Sequence, residues 1–132
     1  FIDFSELNEY TNEIIEKFNV KTTGVSALAS SLSGGNLQKF VVGREIGQKP
    51  SLFIVNQPTW GVDALSAANI RQAIVDIANT GAAIILISQD LDEILEISNR
   101  VAFLTNGNLS TPTNTTDIKT GEIGAIMGGI SD

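Results

Sequence analysis

The protein has 132 residues, one domain's worth of chain, with 42% hydrophobic and 17% charged residues, a globular rather than a disordered composition. Eight Lys and Arg against fifteen Asp and Glu give a formal charge of -7. That disfavours general nucleic-acid backbone binding, yet permits one small anion seat made of backbone N–H groups. Cys and His are both absent, which excludes disulfides, thiolate chemistry, a Ser-His-Asp triad and His-ligated zinc.

The chain begins Phe1-Ile2-Asp3 without Met, and we expect a fragment or a processed piece without a secretory leader. No apolar run approaches the roughly 18 residues of a bilayer span. Asp3, Glu6, Glu9, Glu13 and Glu16 accompany a stripe of Leu7, Ile14 and Phe18. This predicts an acidic amphipathic helix over 3–18, with Ser5 as the N-cap candidate and the acids as a solvated face. Residues 21–31, rich in Thr, Ser and Ala, read as a connector.

Ser33-Gly34-Gly35-Asn36 then opens a helical pattern of Leu37, Phe40, Val41, Arg44, Glu45 and Ile46. Ser33 or Asn36 caps it, and Gly47 and Pro50 end it. Leu52-Phe53-Ile54-Val55 is a continuous apolar run, the pattern of a strand buried on both faces. Residues 56–63 form a loop punctuated by Pro58 and Gly61. Ile70, Ala73, Ile74, Ile77 and Ala78 mark the next helix, closed by Gly81. A second apolar strand follows over 82–87, then a short helix over 90–98 with Leu91, Ile94 and Leu95 inward.

Val101-Ala102-Phe103-Leu104 predicts a third strand, and Asn106-Gly107 a hairpin turn into Asn108-Leu109-Ser110. Residues 111–120 read as loop, and 122–127 as a last helical turn before Gly128-Gly129. Tyr10, Phe18 and Met127 read as packing residues. Alternating helices and strands define an α/β class with a mostly parallel sheet and crossover helices.

Three segments carry chemistry. In Leu32-Ser33-Gly34-Gly35-Asn36-Leu37-Gln38-Lys39, a Ser and two glycines open a helix. The free N–H groups and the helix dipole favour an anion there, and glycine lets it approach the backbone. The alternative is an ordinary cap. Asn56 and Gln57 end the first strand, at the carboxyl edge where ligands bind in parallel sheets. Two acids there would hold Mg²⁺ and orient a water; these are carboxamides, and they also suit a turn. In Ile87-Ser88-Gln89-Asp90, Asp90 suits a helix cap. Lys39 and Arg44 read as facing solvent or pairing with acids such as Glu45, in preference to binding phosphate.

LSGGNLQK, SLFIVNQPTWGVDALSA and AAIILISQDLDEI, in this order, resemble the nucleotide-binding domain of ATP-binding-cassette (ABC) transporters. Residues 32–39 are similar to the family signature, SLFIVNQPT to the Walker B strand, and Gly61-Val62-Asp63 to the D-loop. Residues 1–31 are similar to part of the helical subdomain and its connector, 32–110 to the cassette core, and 111–132 to a C-terminal extension. The wording NQPTWGVD, ISQDLDEI and MGG looks most like the C-terminal part of the second cassette of tandem importers for simple sugars or nucleosides.

The departures from that pattern matter equally. No GxxxxGK[ST] phosphate loop occurs in these 132 residues, so we expect a partial P-loop NTPase fold lacking the phosphate-loop half. Asn56 and Gln57 stand where the family has Asp and Glu, and Gln89 where it has the switch histidine. Loss of a general base alone commonly costs about 10²–10⁴ in rate. The resemblance therefore implies a degenerate site, no catalytic residue or metal ligand in this chain alone, and no hydrolysis by the isolated chain.

Cassettes of this family pair head to tail, and each signature completes the opposite site. That implies Ser33, Gly34, Gly35 and Gln38 facing ATP held by the partner cassette, with Asp63 coupling the two sites and Trp60 packing at the interface rather than stacking on adenine. ATP and Mg²⁺ belong to the full-length assembly, with no cofactor expected for the isolated chain. The implied partners are the first cassette of the same polypeptide, membrane permease subunits and, indirectly, a solute-binding protein, with no nucleic acid. The implied place is peripheral, on the cytoplasmic face of a bacterial inner membrane. A non-transport ABC protein and a catalytically silent α/β interaction module are the alternatives. Half a cassette would also expose apolar sheet and helix faces, which predicts self-association.

Overall fold

The computed structural model describes residues 1–118 and Ile123. The chain divides into two units, Phe1–Gln89 and Asp90–Asp132. The expected last turn over 122–127 lies, Ile123 apart, outside the described residues.

In the first unit, α1 spans Phe4–Lys17 and α2 spans Gly34–Gly47. Asp3, not Ser5, caps α1: its carboxylate accepts the Ser5 N–H at 2.8 Å. The charged Asp3 sits one residue before the first turn, where its carboxylate oxygen meets two free donors, the N–H groups of Ser5 and Glu6. Ile14 and Phe18 turn the apolar stripe inward, and both are buried. Gly43 of α2 faces them, and a Cβ there would lie 2.6 Å from the Phe18 ring. Its missing side chain is what lets the two helices approach. The Tyr10 hydroxyl donates to the Arg44 carbonyl oxygen at 2.9 Å across the same contact.

Strand β1 (Leu52–Asn56) and strand β2 (Ala83–Ile87) run parallel, with Ile54 opposite Ile85 and Asn56 opposite Ile87. Helix α3 (Ala64–Asn79) is their crossover. Its stripe of Ala67, Ile70, Ala73, Ile74 and Ile77 is buried, and Gly81, at φ +100°, turns the chain into β2. This is the expected βαβ unit.

The sheet departs from the sequence reading on one point. The apolar run predicts burial on both faces, but the sheet buries only one. Phe53 and Val55 are buried, whereas Leu52, Ile54, Ile85 and Ile87 are each about half exposed. Side chains alternate along a strand, so α3 and its neighbours cover one face and leave the other open.

In the second unit, α4 spans Leu91–Ile97 and is capped by Asp90, whose carboxylate accepts the Glu93 N–H at 3.1 Å. The expected third strand is absent as a single element. Its residues divide into β3 (Arg100–Val101), antiparallel to β6 (Thr113–Asn114), and β4 (Leu104–Thr105), antiparallel to β5 (Asn108–Leu109). The β4–β5 hairpin turns at Asn106 and Gly107, both at positive φ, as the Asn-Gly pair predicts. The Phe103 N–H is taken by the Ser110 hydroxyl at 2.9 Å, a side-chain bond in place of a strand ladder.

Candidate functional site

The site grows from the first turn of α2. Ser33 is extended and caps the helix, its Oγ accepting from the Asn36 amide side chain at 2.9 Å. Asn36 Oδ1 accepts the Lys21 N–H at 2.9 Å and so pins the connector to this turn. Helix geometry leaves the N–H groups of Gly34 and Gly35 with no acceptor one turn back, at the positive end of the helix dipole.

The two glycines are needed for different reasons. A Cβ at Gly34 would meet nothing within 4 Å. A Cβ at Gly35 would lie 2.7 Å from the Gly61 carbonyl oxygen. Gly35 is therefore required by packing on the 57–63 loop, whereas Gly34 leaves backbone open to approach from outside.

One turn further along α2, two side chains reach the same loop. Gln38 Nε2 donates to the carbonyl oxygens of Gln57 and Pro58, at 3.1 and 3.2 Å. Its amide hydrogens are thus spent inside the chain. Lys39 Nζ lies 3.1 Å from Asp63 Oδ2 and donates to the Asn19 carbonyl oxygen at 3.1 Å.

Lys39 pairs with an acid, as expected, but that acid is Asp63 rather than Glu45, and the solvent-facing alternative is corrected. Lys39 is only 4% exposed and does not face solvent. Position 39 is four residues after Gly35, hence on the same side of the helix, facing the loop. A buried ammonium is stable only with partners, and Asp63 and Asn19 supply them. The Gly35-to-Lys39 spacing was the available signal. Arg44 pairs with Glu45 at 2.9 Å on the surface, as expected.

Asp63 caps α3 by accepting the Ser66 N–H at 2.9 Å and the Ser66 hydroxyl at 2.7 Å. Those two bonds, then the Lys39 ammonium, hold its carboxyl well below the usual carboxylate range. Ser33, Gly35, Lys39, Gly61 and Asp63 line one open depression of about 310 Å³.

The second group lies at the carboxyl edge of the sheet. Asn56 ends β1. Gln57 is left-handed at φ +51°, and its N–H donates to the Ile87 carbonyl oxygen at 2.8 Å. Gln89 follows β2 by two residues at the same edge, because the strands are parallel. These amides offer neutral oxygens and no carboxylate, a poor donor set for Mg²⁺. Among the described residues no three His, Cys, Asp or Glu side chains converge as a metal site would require. Trp60 is 78% exposed in the loop between the two groups. Among the described residues no helix is long and apolar enough to cross a membrane.

No family model matches this sequence. Individual relatives do. A nucleoside import ATP-binding protein of Lactococcus lactis is 37% identical over 129 residues, covering 98% of this chain and 26% of the relative. A glucose import ATP-binding protein of Haloferax volcanii is 38% identical over 133 residues, covering 99% and 24%. A guanosine import ATP-binding protein of Bacillus subtilis is 32% identical over 124 residues, covering 94% and 24%. The chain thus spans about a quarter of the length of these relatives.

The fold recurs in solved structures. A dimeric ATP-binding cassette in a post-hydrolysis state, bound to ADP and Pi, superposes with a TM-score of 0.75 at 18% identity, over 87% of this chain and 50% of that one. The ATP-binding subunit of an ABC transporter superposes at 0.73 and 19% identity, over 98% and 51%. Identity across nearly the whole chain and this cassette fold together establish that the chain belongs to the ATP-binding-cassette family, among relatives named as sugar and nucleoside import ATP-binding proteins.

Proposed function

We propose that this chain is the signature-bearing portion of the ATP-binding subunit of an importer for simple sugars or nucleosides, and that Ser33, Gly34 and Gly35 clamp ATP held by a partner cassette. The observation that carries this reading is the open first turn of α2, where Gly34 has free space around it and the Gly61–Asp63 loop stands alongside. An N–H cluster at a helix start is suited to a phosphate group. Gln38 supports the clamp from behind through its bonds to the 57–58 carbonyls, and Asp63 couples the two sites.

The phosphate loop and its lysine then come from outside these residues, and the fold is completed by that half. The site on this cassette is degenerate. Asn56 and Gln57 supply no carboxylate for Mg²⁺ or for a water, and Gln89 supplies no imidazole. ATP and Mg²⁺ act in the full-length assembly, with the first cassette, membrane permease subunits and a solute-binding protein. The subunit works peripherally on the cytoplasmic face of the membrane.

Placing Ser33→Arg in the full-length protein tests this. A long cation on the first turn would fill the phosphate's place and abolish transport. Transport at the normal rate in that variant would overturn the reading.

A further inference from the structure

Three neighbouring residues of α2 each engage the loop that follows β1. Gly35 sits against the Gly61 carbonyl, Gln38 donates to Gln57 and Pro58, and Lys39 meets Asp63. Of these only Lys39 carries charge, and it is the most buried. Its ammonium also holds the Asn19 carbonyl, just beyond α1, where Asn19 is left-handed at φ +50°. One cation thus ties together three segments: the end of α1, the signature helix and the start of α3.

The geometry of this tie is directional. Lys39 lies one helical turn behind Gly35, and its partner oxygen, Asp63 Oδ2, also accepts the Ser66 hydroxyl. Asp63 Oδ1 is used by the Ser66 N–H. The Asp63 carboxylate is therefore held from two sides, by its own helix and by the signature helix. If α2 shifted relative to the loop, the Lys39–Asp63 contact would have to lengthen. The Asp63 side chain is 57% exposed and water readily replaces Lys39 on it, whereas the Lys39 side chain is 4% exposed and depends far more on Asp63 and the Asn19 carbonyl for its partners.

We infer that Lys39 is a positioning residue: it locks the Gly61–Asp63 loop to the signature helix, so that the triphosphate clamp and the D-loop move as one body. This rests on the clamp reading above and adds to it a residue that touches no nucleotide. Lys39 acts only through Asp63 and the backbone, while Ser33, Gly34 and Gly35 meet the phosphate. Two elements that must both change state for a signal to pass are coupled by such a contact.

The test uses the full-length, assembled importer. Lys39→Met, Lys39→Arg, Asp63→Asn and the Lys39→Met/Asp63→Asn pair are compared for kcat, KM for ATP and melting temperature. We expect Lys39→Met and Asp63→Asn each to lower kcat by about tenfold with KM within about twofold, the split of an interaction that acts after ATP is bound. The double variant should lose no more than the worse single one, because both substitutions break the same contact. Lys39→Arg, which keeps the charge and the donors, should recover most of the rate. Should Lys39→Met fail to fold, Asp63→Asn and Lys39→Arg still decide the matter. Wild-type kcat in Asp63→Asn, losses that multiply in the double variant, or no recovery with Arg would each overturn the inference. Ser33→Arg separates the two levels: if it abolishes transport while Asp63→Asn turns over normally, the clamp stands and the lock falls.

Discussion

The α-carbon of Gly35 faces the carbonyl oxygen of Gly61 so closely that a Cβ would stand 2.7 Å from it. The first turn of α2 and the 61–63 loop are therefore in backbone contact, with no side chain between them. Gly34, its neighbour, faces open space.

This pair separates structure from function experimentally. Gly35→Ala must displace the 61–63 backbone and should destabilise the chain by about 1–3 kcal/mol, the cost of overpacking. Gly34→Ala meets nothing and should leave stability within about 1 kcal/mol, since alanine favours helix over glycine. Under the clamp reading, Gly34→Ala nonetheless lowers transport, because its methyl group stands where a phosphate approaches. Chemical denaturation of both variants, with transport assays of the full-length protein, checks this. Full transport in Gly34→Ala would count against the clamp.

Asp63 makes stability depend on pH in a direction that can be stated. Its carboxyl is held below the ordinary range by Ser66 and then Lys39. A depressed folded-state pKa adds stability that is fully present above the unfolded value, about 4, and is lost as pH falls below it toward the folded value. Thermal melts of the wild type and Asp63→Asn should differ most above pH about 5 and converge as pH drops through the carboxylate range. A gap that is flat across that range would contradict the assignment.

Ile70 is fully buried at the centre of the α3 stripe. Ile70→Ala should cost about 2–5 kcal/mol and Ile70→Val about 0.5–1.5 kcal/mol, read as shifts of the denaturation midpoint. Equal, small effects would mean that α3 is not packed as described.

The open sheet face predicts association. Ile54 and Ile85 are register partners, each about half exposed. The isolated 132-residue chain should self-associate at high concentration, and Ile54→Thr with Ile85→Thr should reduce it. Light scattering is the measurement, and a clean monomer of the unaltered chain would defeat the prediction.

Purified alone, the chain should release no phosphate from MgATP above background. Asn56, Gln57 and Gln89 offer neither carboxylate nor imidazole, and no phosphate-loop sequence occurs in the 132 residues. Brisk turnover by contaminant-free material would overturn the degenerate-site reading.

Much of the site was legible in the residues. Ser33-Gly34-Gly35 announces a capped helix start, and Ser33 is that cap. The run ending in Asn56 and Gln57 announces a strand edge, and the parallel pairing with β2 brings Gln89 to it. The 101–104 run was misleading, because four apolar residues specify neither a partner nor a direction. Ser110 and the Asn-Gly turn instead draw that segment into short antiparallel pairs.

Sequence by itself determined what is local: where α2 and α3 begin, the Asn106-Gly107 hairpin, and the amides in place of acids, because caps, turns and residue chemistry depend on a few adjacent positions. Only the tertiary structure decided that Lys39 is buried on Asp63, that Gly35 abuts Gly61, and that one face of β1 and β2 stays open. Each of those depends on which distant segment arrives opposite a residue, and helical or strand periodicity names a face without naming what covers it.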